Sequence, residues 1–343
     1  MKKLSLEQKI YWLQRRDKRE RKRCKKHRKT SQRQHPSIIM IDAPRCIQLA
    51  PKKERKQTLS FLHNVRDATK SSRHIRINFK NTNQIYADAA ILLRAELERM
   101  QKYFPQVYFS CLLPESKRIK QVLYQINVLN ILNYKKKIEV HLDDVVHWKH
   151  AHGNKVEGDK FDTILGKYSG TLSEYITSGL YPSITEAMAN SCEHAYILNR
   201  EDALNINDRT NDWWMFSQET NHKLNVVFCD LGAGIPRTID RKENKFWASI
   251  QEIWRKDKND AKVIEFATKH GESRTDLGYR GKGLPQLVKN ILNIKDGALR
   301  IFSNRGMITY HEHSDHAEKY LFTDSIYGTI ILWEIPISQE QLP

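Results

Sequence analysis

The chain has 343 residues, 39% of them hydrophobic, and carries a formal net charge of +18. That length suits two compact domains, and the absence of any run of about 18 apolar residues excludes a membrane-spanning helix. No apolar segment of signal-peptide type follows the basic N-terminus, and five scattered cysteines include no CxxC pair, so a soluble, cytoplasmic protein with reduced thiols is expected.

Residues 1–35 hold 15 Lys and Arg against 3 acidic residues, which leaves a net charge of only +6 for the rest. The run Arg15 to Lys29 repels itself and has little to bury, so it is expected to be disordered or a solvated helix. It suits salt-sensitive contact with a nucleic acid or acidic partner, and equally a solubilising tail. Tyr11 and Trp12 are the only aromatics there, so base stacking is not indicated.

From Pro36 the texture changes. Ser37–Ile41 predicts a strand, Ile47–Leu49 a short extended piece, Leu59–Val65 a helix, and the alternation Ile75-Arg76-Ile77-Asn78-Phe79 a half-buried strand. Ala87–Tyr103 has the spacing of an amphipathic helix. Val107–Ser110 predicts another strand and Ile119–Leu132 another helix. Such alternation implies α/β layers. Residues 36–140 resemble, in order and texture, the STAS-like fold of anti-sigma-factor antagonists. In that family a phosphorylatable serine lies at the start of the helix after the central strand. Here the matching turn is Tyr86-Ala87-Asp88-Ala89, which has no hydroxyl, and Asp88 stands where the phosphate would go. An interaction domain without an active site is therefore expected. Residues 141–160 read as a connection with some extended structure, and His147, His150 and His152 within it as surface histidines.

Four strings follow. Ser183 to Tyr196 has helix-forming content, and Ser183 with Glu186 forms a capping-box pattern. Glu186 and Asn190, four apart, project from one helix face. A carboxamide oxygen can ligate a hard cation and a carboxylate can take a proton from an attacking water. Next, the apolar run Leu224–Cys229 ends in Asp230 and breaks into Gly232-Ala233-Gly234-Ile235. An Asp at a strand end can accept from an exocyclic amine, and the glycines permit close backbone approach. Third, Gly278-Tyr279-Arg280-Gly281-Lys282-Gly283-Leu284 opens into a helical pattern from Pro285 to Leu292. A glycine-rich turn at a helix N-terminus suits phosphates. Last, Gly328-Thr329 begins a terminal strand through Trp333. Neither the Walker A nor the Rossmann spacing is present. His311, His313 and His316 read as surface residues of a hairpin connection.

In this order the strings resemble the N, G1, G2 and final Gly-Thr boxes of the GHKL superfamily of ATPases. Glu186 to Asn190 followed by His194-Ala195-Tyr196 is most similar to the anti-sigma-factor serine kinase branch. The resemblance implies a two-layer α/β sandwich of the Bergerat type over 161–343, with a mixed sheet, preceded by the STAS-like domain and the basic arm. It implies ATP and Mg2+ as ligands. Glu186 would be the general base and Asn190 the magnesium ligand. Asp230 would bind the adenine amino group, Gly232, Gly234 and Ile235 would line the base pocket, and Thr329 would lie beside it. Gly281, Lys282, Gly283 and Leu284 would cradle the phosphates, and 237–277 would form a mobile lid. The expected function is a nucleotide-dependent switch with ATPase activity, acting on a protein partner, with a homodimer also allowed. A serine/threonine protein kinase and a non-catalytic ATP-binding module stay open.

Overall fold

The computed structural model describes residues 38–337 except 147, 167–171, 173, 205, 207–209, 221, 240–251, 253, 255, 270–282, 293 and 313–315, and only the backbone of 146, 161–163 and 174–178. The expectations for the basic arm and for Gly278 to Lys282 lie outside these residues. The protein is mixed α/β, and no described helix is long and apolar enough to cross a membrane.

The N-terminal unit begins with β1 (Ile38–Asp42), β2 (Cys46–Ile47) and helix α1 (Lys52–Ser71), and continues through β3 (His74–Asn78), β4 (Gln84–Ile85) and α2 (Ala87–Tyr103) to β5 (Tyr108–Leu112). Strands β1, β3 and β5 pair in parallel in that order, and β2 pairs with β4. Parallel pairing requires crossover connections, which the helices provide. Ile41, Ile75, Ile77 and Phe109 point into the core. The single helix expected over 119–132 is two, α3 (Lys117–Gln125) and α4 (Val128–Ile131), because Asn127 adopts a left-handed conformation (φ 64°) between them. Asn tolerates that region better than other non-glycine residues.

Short helices α5 (Asp143–Val146) and α6 (Lys160–Leu165) flank β6 (Lys149–Gly153), the extended part of the connection. This strand forms one edge of a seven-stranded sheet with β7 (Trp213–Thr220), β8 (Lys223–Asp230), β12 (Thr329–Pro336), β9 (Ala298–Ser303), β10 (Gly306–His311) and β11 (Glu318–Leu321), in spatial order β11-β10-β9-β12-β8-β7-β6. The mixed sheet expected from the sequence is instead antiparallel in every described pairing. Tight hairpins join β7 to β8 and β9 to β10, and a tight hairpin can only reverse the chain.

Sequence alternation divides the two faces of this sheet. Trp213, Met215, Val226, Phe228, Ile301, Ile331 and Trp333 face helices α7 (Glu174–Asn190), α9 (Asp260–Lys269) and α10 (Gly283–Leu292), and the short α8 (Ile235–Thr238) follows β8. Trp214, Phe216, Val227, Cys229, Phe302, Ile330 and Leu332 share one core with the N-terminal unit. By itself the C-terminal half has two layers, and the N-terminal unit covers the second face of its sheet. Helix α2 packs on β7 and β8 and on α1 and α4, so it is buried nearly all round rather than along one stripe.

Candidate functional site

Strand β8 ends at Asp230, opposite Thr329 at the start of β12. Asp230 is 6% exposed. Its carboxylate accepts from Gly232 N at 2.9 Å and from Thr329. Burial raises its pKa to about 6, and those bonds together with the charge of Arg200 offset only part of the rise. The result is a fixed acceptor that is desolvated yet ionised at neutral pH.

The glycines around it are required by close packing. A Cβ at Gly232 would overlap the carbonyl of Ala195, and Ala233 N donates to that carbonyl at 2.7 Å. Gly234 has φ +82°, a region closed to most side chains, and lies against Asn304. A Cβ at Gly328 would overlap the backbone oxygen of Asp230. Ile235 N donates to Ser303 Oγ, and Ser303 also bonds Gly328 O and contacts Thr329 Oγ1. The turn after β8 and the Gly-Thr start of β12 are thus one bonded corner.

Glu186 and Asn190 lie on α7, half-buried, with Asn190 Nδ2 donating to Glu186 Oε1 at 3.2 Å. That bond uses the amide nitrogen and leaves the amide oxygen as the group able to ligate a cation. The capping box at Ser183 is not formed. The helix starts nine residues earlier, at Glu174, and Ser183 Oγ instead donates to Gly179 O one turn back, at 2.7 Å. The S-x-x-E spacing matches inside a helix as well as at its start, and only the preceding segment decides between them. After Asn190 the helix widens into a π-turn, Ser191–Ala195, a feature found disproportionately at functional sites. Tyr196 follows and accepts from Leu231 N at 3.1 Å.

Gly283 opens α10 directly against Glu186, where a Cβ would overlap the carboxylate. Leu284 and Ile235 both pack, partly buried, on the small cluster of Ile239, Val263 and Ala267. The structure therefore joins three of the strings through Ala195–Gly232, Glu186–Gly283 and the cluster on which Ile235 and Leu284 both pack. The fourth, at Thr329, joins through Asp230. Ala195 lies nine residues beyond Glu186 along α7 and its π-turn, so the acceptor corner and the carboxylate–carboxamide pair meet different levels of the same helical segment.

The lid expected over 237–277 is corrected for part of its length. Helix α9 buries Ala261, Val263, Ile264, Ala267 and Thr268, and Gly306 of β10 packs against its first turn. Its apolar positions recur at helical spacing and seat it on β10 and α10, so 260–269 belongs to the packed body. His311 ends β10 exposed, 3.8 Å from Glu318, and His316 is exposed nearby, while His313 lies outside the described residues. His150 is half-buried, and burial lowers its pKa to about 4. His152 is exposed, as expected, and stacks on Trp214 beside Asp212, so only His150 departs from the surface reading, and His147 lies outside the described residues.

Residues to which the sequence assigned no role complete the corner: Ser303, Asn304, Tyr327, Arg200 and Tyr196. Asn304 Nδ2 donates to Ala233 O at 2.9 Å. Tyr327 holds φ 52° immediately before Gly328. The only local hint of these roles was the turn-forming Asn304-Arg305 between two apolar runs. No protein-family model matches the chain, and no curated protein matches it.

Proposed function

We propose that the C-terminal half is a GHKL-type domain that binds Mg-ATP and switches an interaction surface according to its nucleotide state. The observation that carries this reading is Asp230, a buried carboxylate held by Gly232 and Thr329 at a glycine-built corner. An acceptor of that kind suits the exocyclic amine of adenine. On this reading Gly232, Gly234 and Ile235 border the base, and Thr329 shares a water or amine with Asp230. Gly283 and Leu284, with Gly281 and Lys282, receive the phosphates at the N-terminus of α10. Magnesium fits the donors present. Among the described residues no group of three His, Cys, Asp or Glu could hold a metal, and Mg2+ commonly takes one or two protein oxygens and completes its shell with phosphates and water. Asn190 supplies that oxygen, and the bound ion would neutralise charge on the phosphates. Glu186 accepts a proton from the attacking water or hydroxyl.

The N-terminal unit is read as a STAS-like regulatory domain. Asp88 does not act there as an exposed phosphate mimic, because it is 5% exposed and accepts from Ala89 N in the first turn of α2. Incubation with ATP labelled at the γ-phosphate tests the function. Labelled free phosphate supports the ATPase, and label on a partner protein supports the kinase. Bound but unconverted ATP supports a non-catalytic switch. Absence of Mg-ATP binding at millimolar nucleotide refutes the proposal.

A further inference from the structure

The corner that carries Asp230, Gly234 and Thr329 is held from behind by charged side chains of the N-terminal unit. Glu96 on α2 is fully buried and takes Arg66 of α1 at 2.7 Å and Arg200 of the C-terminal half through the same oxygen. Arg200 Nε donates to Tyr327 O at 2.6 Å and its Nη2 to Ile326 O at 3.1 Å, the two residues before Gly328-Thr329. Arg66 and Arg200 also lie over the Tyr327 ring, at 5.3 and 5.8 Å. Arg99 of α2 pairs with Asp202, which lies 3.3 Å from Arg200.

A second route starts at Arg55 of α1, 1% exposed, whose Nη2 donates to Asn304 O at 2.9 Å and Asp324 O at 3.1 Å. Asn304 in turn donates its backbone N–H to Gly328 O and its side-chain amide to Ala233 O. Both sides of the corner are therefore tied to α1 and α2. Tyr327 adds a further sign. A non-glycine residue with φ 52° persists only where its surroundings over-determine it, and here those surroundings are the two arginines and the carboxylate between them. Buried ion pairs of this kind are weak evidence of net stability, and their geometric effect is to hold one arrangement.

We infer that Glu96 and Arg55 are positioning residues for the nucleotide pocket, so that the placement of α1 and α2 on the sheet sets ATP affinity. This rests on the Mg-ATP reading of the site. A ligand or partner that shifts α2 then changes nucleotide affinity, and bound nucleotide must by linkage stabilise the seating of α2.

The test uses the full chain with Glu96→Gln, and Arg118→Ala as a control that breaks an ion pair with Asp144 away from the corner. Mg-ATP affinity is measured by calorimetry, and amide exchange without nucleotide is followed at 326–330. Glu96→Gln is expected to weaken ATP by between about 5- and 150-fold, the usual range for coupled sites, and to speed exchange at 326–330. Arg118→Ala should do neither. Exchange at 326–330 unchanged in folded Glu96→Gln would overturn the inference, as would unchanged ATP affinity. Should the variant not fold, the wild type decides. Mg-ATP that protects 229–234 without slowing exchange over 92–100 also overturns it. A wild type that binds no ATP refutes the nucleotide reading alone. In that case faster exchange at 326–330 in Glu96→Gln still supports the coupling.

Discussion

Replacing Asp230 by Asn separates the cost of a buried charge from its use. The buried carboxylate has a pKa of about 6 against an ordinary value of 3.8. The folded state therefore binds its proton more tightly than the unfolded state does. Stability from this group is fully present below about pH 4 and is lost as pH rises through about 6. Two pH units correspond to about 3 kcal/mol. Asn keeps an oxygen to accept from Gly232 N and Thr329 but carries no charge. Asp230→Asn is thus expected to unfold at a higher urea midpoint than wild type at pH 8, by up to about 3 kcal/mol, with the advantage shrinking towards zero at pH 4. The same variant should bind Mg-ATP about 10- to 100-fold more weakly, the range for losing a hydrogen bond to a charged group. Wild-type affinity should itself fall as pH drops below about 6, when the acceptor protonates. Urea unfolding across pH 4–8, paired with calorimetry at each pH, measures both. A stability difference that does not change with pH would refute the electrostatic reasoning, and full ATP affinity in Asp230→Asn would refute the adenine assignment.

At the other end of the site, Glu186→Ala should leave ATP bound while turnover falls by about 10²–10⁴-fold, the usual contribution of a general base, read as phosphate release in single turnover; near-normal turnover removes Glu186 from the mechanism. Gly283→Ala should displace the Glu186 carboxylate it would overlap and so lower turnover with little change in thermal midpoint; unchanged turnover means the carboxylate has room to work elsewhere. For the basic arm, anisotropy with labelled duplex DNA across a salt series should show log affinity falling with log salt by about 0.9 per phosphate contacted, and deleting residues 1–35 should abolish most of that slope. Equal weak binding by both proteins at low salt leaves the arm as a solubilising or protein-docking tail.

Features of the site set by the local chain were legible in the sequence. Asp230 ends an apolar run of strand length because a charged residue and two glycines cannot extend a buried strand, and the structure ends β8 there. Ala87–Tyr103 is a helix with the expected bounds, since its apolar residues recur every three or four positions and no glycine or proline interrupts them. The i, i+4 spacing of Glu186 and Asn190 brought the two side chains together on one face of α7, as helical geometry requires.

Tertiary structure decided what those elements pack against, and that overrode several local patterns. Ser183 sits mid-helix because the segment from Glu174 to Pro182 is helical and Leu180 and Ile184 bury in the core below the sheet. Residues 260–269 are charged enough to resemble a solvent-facing lid, yet their apolar stripe fits β10 and α10. Arg66, Glu96, Arg99 and Arg200 are types that belong on a surface until a partner exists for each. Glu96 and Arg200 stand 104 residues apart in the chain, and no local pattern carries information across that distance. Their burial follows from two apolar surfaces meeting, one on α1 and α2 and one on the far face of the sheet. Once those surfaces exclude water, the charges between them must pair with each other or with backbone carbonyls.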